Sequence, residues 1–189
     1  EEVNMKFNMG CGFNKLEGFV NVDKFSECSP DLQMDLEKFP WPIEDNQSNE
    51  VIFNHSLEHL GQDTEVFLGI IKELYRISRD NSKVMINVPH PRHDSFLGDP
   101  THVRVITPEV LSLLSKKNNL YWKKVNASNS PLAIYLNVDF EVVNTIQILD
   151  PYYSERLDKN ELPKDVLSRL IQEKNNVIQE YNFVLRVLK

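Results

Sequence analysis

The sequence predicts an α/β domain: a mostly parallel, seven-stranded sheet, doubly wound with helices, that closes on an antiparallel C-terminal edge. Three observations predict it. Strand-like and helix-like stretches alternate through the first two thirds of the chain, the pattern of a parallel sheet with crossover helices. A glycine loop directly follows the first strand. Two β-rich stretches with a short helix between them end the chain, which fits an antiparallel edge pair on an otherwise parallel sheet.

The first strand is read from Val3, Met5, Phe7 and Met9, which alternate with Asn4, Lys6 and Asn8. Gly10-Cys11-Gly12 then lets the backbone turn sharply and approach a ligand closely. Val20 to Asp23 reads as the second strand, ending in a carboxylate suited to two ribose hydroxyls. The residues between Gly12 and Val20 are too few for a crossover helix of more than one turn. Lys15 stands where a third glycine would complete G-x-G-x-x-G. Both features argue against a cofactor carrying a pyrophosphate and leave one without it.

Ser29 to Leu36 reads as a short third strand, ending near Asp35. The proline-punctuated Phe39–Ile43 and the turn cluster Glu44–Asn49 follow. Glu50–Asn54 is a buried fourth strand, with His55-Ser56-Leu57-Glu58-His59-Leu60 directly after it. Asp63–Arg79 is a helix whose apolar face carries Val66, Phe67, Ile70, Ile71, Leu74 and Tyr75, capped by Asp63 or Thr64. Lys83–Val88 is the fifth strand. The long polar loop 89–104 after it reads as functional. A helix is expected from Thr107 to about Lys117, with proline at its first position. Strands over Leu136–Leu149 and Gln179–Lys189 flank an amphipathic helix over Pro163–Lys174.

Composition sets the outer bounds. The 189 residues suit one domain, 1–189, with 41% hydrophobic residues for its core. A net charge of −7 argues against a nucleic-acid partner. No apolar run is long enough to span a bilayer, and no signal peptide is visible. Cys11 and Cys28 do not suggest a disulfide framework, so a reduced, cytoplasmic setting is expected. Oligomeric state is not readable.

These residues resemble the class I S-adenosylmethionine-dependent methyltransferases from Met5 to about Glu109, which implies a Rossmann-like fold. Asn8-Met9-Gly10-Cys11-Gly12 is similar to the family's first motif, with Asn8 where many members have an acidic residue. Val20–Asp23 looks like the ribose-holding strand, and Asp35-Leu36 like the adenine-contacting pair. Phe39–Pro42 looks like the proline-aromatic turn, and Asn54–Leu60 like the fourth strand and its L-E-H continuation. The resemblance implies S-adenosylmethionine as cofactor, held by Asn8, Gly10, Cys11, Gly12, Asp23, Asp35, Leu36, Asn54 and Ser56. The compact loop before Asn21-Val22-Asp23, with Asp99–Arg104 and the closing Leu185–Lys189, is similar to a subgroup acting in glycan or cell-surface biosynthesis. The acceptor it suggests is a sugar, glycan or small-metabolite hydroxyl.

Methyl transfer to oxygen needs near-attack geometry and a base for the departing proton. His102 or His90 is the expected base, with Asp94 or Asp99 orienting it, and His55 is expected near the reacting methyl. His55-x-x-Glu58-His59 also matches H-x-x-E-H, so a metal-dependent hydrolase is one alternative. A non-catalytic nucleotide-binding module is another. The same segment resembles the E-x-x-E-H of certain metal-binding quinone-pathway O-methyltransferases, with His55 at the first position. A divalent metal on His55, Glu58 and His59 is the alternative this opens. The reading adopted has Glu58 and His59 bonding the following loop instead.

Overall fold

The computed structural model describes residues 5–189. Val3 and Asn4 of the expected first strand lie outside them. Seven strands form one sheet: β1 (Met5–Met9), β2 (Val20–Asp23), β3 (Leu32–Gln33), β4 (Ser48–Asn54), β5 (Ser78–Pro89), β6 (Phe140–Leu149) and β7 (Ile178–Val187). Their order across the sheet is β3-β2-β1-β4-β5-β7-β6. The chain winds outward from β1 to β3, then restarts on the other side of β1 at β4. That reversal is the switch point of a Rossmann-like, doubly wound sheet. Six strands run the same way. β7 runs against them, inserted between β5 and the edge strand β6.

Register explains what each face does. Phe7, Val51, Val84 and Leu185 align across β1, β4, β5 and β7, and all are buried. The next row holds Lys6, Glu50, Lys83 and Arg186, continued by Glu141 on β6. Here Lys6 pairs with Glu50 at 2.8 Å, and Arg186 Nε donates to Glu141 at 2.9 Å. One sheet face is therefore core, and the other carries a ladder of cross-strand charges.

The main core helix, α1 (Thr64–Ile77), buries Phe67, Ile70, Ile71, Leu74 and Ile77. Asp63 caps it, accepting from the Glu65 and Val66 amides at 2.7 and 3.4 Å. It stops at Ile77 rather than Arg79, because β5 begins at once at Ser78. The loop after β5 contains a short helix, α2 (Asp94–Leu97), capped by His93. The helix expected over 107–117 is two: α3 (Pro108–Ser112) and α4 (Lys116–Lys124). Ser115 breaks them apart by capping α4, and Asp139 accepts from the Lys116 amide at 2.9 Å. α5 (Leu132–Leu136) takes the start of the expected sixth strand. α6 (Pro151–Asp158), capped by Asp150, and α7 (Lys164–Glu173) connect β6 to β7. Among the described residues no helix is long and apolar enough to cross a membrane.

Candidate functional site

The short link between β1 and β2, residues 10–19, is built by asparagines. Asn8 is buried, and its amide donates to the Asn14 carbonyl at 3.0 Å and to Asn21 Oδ1 at 2.9 Å. Asn21 Oδ1 also accepts from the Leu16 amide, and Asn21 Nδ2 donates to Asp31. The Asn21 backbone amide donates to Asp31 Oδ2 at 2.8 Å, and this bond together with that from Nδ2 holds the Asp31 carboxyl below its usual pKa. A link too short for a helix is thus closed by side chains that satisfy its backbone.

The glycine loop rises from that base. Gly10 and Cys11 both donate their amides to the Val22 carbonyl at 2.9 Å. Gly10 has φ +69, and a Cβ there would lie 2.7 Å from Ser56 Cβ. Gly12 has φ +50 with open space where a Cβ would stand. Its amide donates to Asp23 Oδ2 at 2.8 Å, while Phe25 donates to Asp23 Oδ1 at 3.0 Å. Asp23 is only 8% exposed, yet each carboxylate oxygen keeps acceptor capacity for a ligand.

Above these groups opens a cleft of about 480 Å³ at the carboxyl ends of β1, β2 and β4. Gly10, Gly12, Asp23, Asp35, Leu36, His55 and Ser56 line it. Leu60 and Thr101 of the motif segments line it too, as do Phe25 and Met34, which were not singled out from the sequence. Their signal was faint: single apolar residues beside turns, with no period. Ser56 donates its hydroxyl to the Met9 carbonyl at 2.7 Å, fixing the wall opposite the loop. Asn8, Cys11 and Asn54 are placed elsewhere, along a separate depression of about 400 Å³. Burial pushes the Cys11 thiol up, which favours the neutral form.

The second half of the site is a cluster of histidines and carboxylates. A chamber of about 150 Å³ is lined by His55, Glu58, His59, Ser95, His102 and Glu180, among others. His55 and His59 line both this chamber and the larger cleft. His55 follows β4 in the left-handed region, φ +52, and its Nε2 lies 3.0 Å from Glu180 on β7. Glu58 is 1% exposed, and burial pushes its carboxyl up to about 7. Its Oε2 has no hydrogen-bond partner among the described residues. The Glu58 carbonyl accepts from the Val103 and Arg104 amides at 2.9 Å, so this turn does bond the following loop, through its backbone. His59 Nδ1 meets Thr101 Oγ1 at 2.9 Å, and burial lowers its pKa.

The expected bases separate. His102 lies in the cluster, its ring 4.6 Å from that of His59 and its Nδ1 3.0 Å from the Phe96 carbonyl. His90 lines neither space. It is 6% exposed, packs on Tyr181 and accepts from the Arg92 amide at 3.1 Å. Burial lowers its pKa to about 4. Asp94 is exposed at the start of α2 and lines neither space. Asp99 lies near the cluster, Oδ2 at 3.8 Å from His102 Nε2. The H-x-x-E-H segment is a strand end followed by one 3-10 turn, Leu57–His59, with no long helix to present two histidines from one face. The peptidase geometry is therefore missing.

No protein-family model matches the chain, and no curated protein matches it in sequence. Solved structures do match its fold. A SAM-dependent methyltransferase from Archaeoglobus fulgidus superposes with TM-score 0.61 at 17% identity, over 97% of this chain and 86% of that one. An S-adenosylmethionine-dependent methyltransferase structure, described as putative, from Listeria monocytogenes gives 0.54 at 12%, over 100% and 94%. The 1,6-didemethyltoxoflavin-N1-methyltransferase of Burkholderia thailandensis, solved with 1,6-didemethyltoxoflavin and S-adenosylhomocysteine, gives 0.53 at 9%, over 98% and 71%.

Proposed function

We propose that the chain is an S-adenosylmethionine-dependent methyltransferase acting on a hydroxyl of a small metabolite or sugar. One observation carries the reading: His55 and His59 form the wall shared by the cleft holding Asp23 and Asp35 and the titratable chamber beside it. A cofactor side and a proton-handling side meet there. The fold shared with methyltransferases of known structure supports the same reading.

The residues fit the cofactor. Asp23 takes the ribose hydroxyls, Leu36 and Met34 wall the adenine, and Asp35 accepts at its edge. The open side of Gly12 and the Gly10–Ser56 contact leave room for the amino-acid end. When bound, S-adenosylmethionine supplies an electrophilic methyl on a sulfonium. An acceptor hydroxyl that took this methyl would have to give up its proton to the chain. The proton goes to His55. Glu180, 3.0 Å from Nε2, fixes the tautomer and leaves Nδ1 as the accepting atom. A non-glycine residue held at φ +52 costs about 1–3 kcal/mol, strain that clusters at functional sites. The base thus moves from His102 or His90, as read in sequence, to His55.

Calorimetric titration with S-adenosylmethionine and S-adenosylhomocysteine tests the reading; absence of binding at millimolar cofactor overturns it. Once an acceptor is found among hydroxylated metabolites and sugars, His55→Gln lowers kcat about 10²–10⁴-fold with cofactor affinity retained. Equal rates in wild type and variant would remove His55 as the base. The non-catalytic module is the outcome in which cofactor binds and no acceptor in the panel is methylated.

A further inference from the structure

We infer that Glu58, His59 and His102 form a binding site for a divalent transition-metal ion at the wall between the cleft and the chamber. One ligand atom from each of the three lies within 4.8 Å of the other two. Two imidazoles and a carboxylate suit zinc, cobalt or iron better than calcium or magnesium. The sequence suggested a different trio, with His55 in place of His102. His55 instead directs its Nε2 to Glu180.

The hydrogen bonds around the two histidines point to a cation. Thr101 Oγ1 has one hydrogen, and it goes to Asp99 Oδ1 at 2.7 Å. The same oxygen therefore accepts from His59 Nδ1 at 2.9 Å, which places the proton on Nδ1. His102 Nδ1 meets the Phe96 carbonyl, which can only accept, at 3.0 Å. Both rings are thus held as the tautomer with a bare Nε2 lone pair. The His59 lone pair lies 3.9 Å from Glu58 Oε1, and the His102 lone pair 3.8 Å from Asp99 Oδ2. Lone pairs facing carboxylate oxygens repel unless a proton or a cation stands between them. Histidines whose outer nitrogen is fixed by an oxygen acceptor are the usual supports of a metal site.

Glu58 supplies the independent observation. Its side chain is buried, and Oε2 has no hydrogen-bond partner among the described residues. A buried carboxylate oxygen without a donor is costly. Coordination through both carboxylate oxygens would remove that cost. Asp99 and Glu180 add negative potential nearby, while His55 faces Glu58 Oε1 from Nδ1 at 3.8 Å. Metal binding itself does not depend on the methyltransferase reading. If both hold, an acceptor hydroxyl on the metal would lose its proton to His55 more readily.

The test uses the chelator-treated full chain titrated with Co²⁺ and Zn²⁺, followed by calorimetry and, for Co²⁺, by visible d–d absorption. One ion per chain is expected, with bands of low-symmetry N/O coordination. His102→Ala and Glu58→Gln each weaken binding at least about 10-fold, and Thr101→Val, which removes the acceptor for His59, weakens it about 10–100-fold. His55→Gln changes affinity less than threefold. Circular dichroism establishes that each variant is folded. No binding by the wild type at millimolar Co²⁺ overturns the site. So does binding that folded His102→Ala and Glu58→Gln leave unchanged, and loss in His55→Gln and Glu58→Gln but not in His102→Ala restores the trio read from sequence. Cofactor titration of the metal-free chain separates failure here from failure of the methyltransferase reading.

Discussion

The Gly12 amide donates to Asp23 Oδ2 across 2.8 Å, tying the loop after β1 to the last residue of β2. Phe25 donates to the other oxygen at 3.0 Å. Asp23 thus sets the shape of the cleft and is also the proposed ribose ligand. Asp23→Ala strands two amides and is expected to cost about 1–3 kcal/mol in urea unfolding, with loss of measurable S-adenosylhomocysteine binding. Asp23→Asn keeps one acceptor and loses less stability. Full cofactor affinity in Asp23→Asn would argue against the ribose role.

Gly10 cannot become alanine without two penalties. Its φ of +69 costs an L-residue about 1–2 kcal/mol, and its Cβ would overlap Ser56 Cβ at 2.7 Å, with overpacking worth about 1–3 kcal/mol. Ser56→Gly in the same chain removes only the overlap. The double variant is therefore more stable than Gly10→Ala alone once the separate cost of Ser56→Gly is subtracted. A double-mutant cycle of urea midpoints measures that coupling.

His90 makes stability depend on pH in a defined window. Its folded pKa is about 4 against an ordinary 6.5, so between those values the unfolded chain binds more protons. The neutral ring's contribution is fully present above about pH 6.5 and is lost as pH falls through about 4. One pKa unit is about 1.4 kcal/mol, so the loss is at most about 3.5 kcal/mol. His90→Asn retains an acceptor for the Arg92 amide without titrating. Its unfolding free energy should fall less between pH 7 and 4.5 than that of the wild type.

Arg76 joins α1 to the proline-aromatic loop. It pairs with Glu73 and Asp45 at 2.7 Å each and donates to the Ile43 and Trp41 carbonyls. Glu73 accepts from the Trp41 amide, and the guanidinium holds its carboxyl below the usual range. Arg76→Lys keeps the charge and loses the fork, so a loss of about 1–3 kcal/mol is expected in urea unfolding. A change under 0.5 kcal/mol would show that the fork adds nothing beyond a charge.

Local signals were legible where local physics decides. Asp63 caps α1 as its side chain and position require, and the period of Phe67, Ile70, Ile71 and Leu74 gives the buried face. Gly10 and Gly12 turn the chain after β1 as their backbone freedom allows. The break at Ser115 was not legible, because Ser112 to Lys124 continues without proline or glycine and the stop depends on Asp139 capping from far along the chain. Asn8 looked like a cofactor contact for its place in the motif. Its amide is instead committed to Asn21, thirteen residues later and on the next strand.

The sequence alone determined the α/β class, the glycine loop, the carboxylate ending β2 and the density of titratable groups after β4 and β5. Each of these is encoded within a few neighbouring residues. Only the tertiary structure decided which of those groups meet. β7 enters against β5 with Glu180 opposite Pro89, and this brings Glu180 to His55 on the neighbouring β4 end. The loop after β5 folds back so that His102 and Thr101 reach His59, while His90 turns into the packing against Tyr181. Strand order and loop closure are properties of the whole sheet, and five histidines at fixed positions in a chain carry no distance information until that sheet is formed.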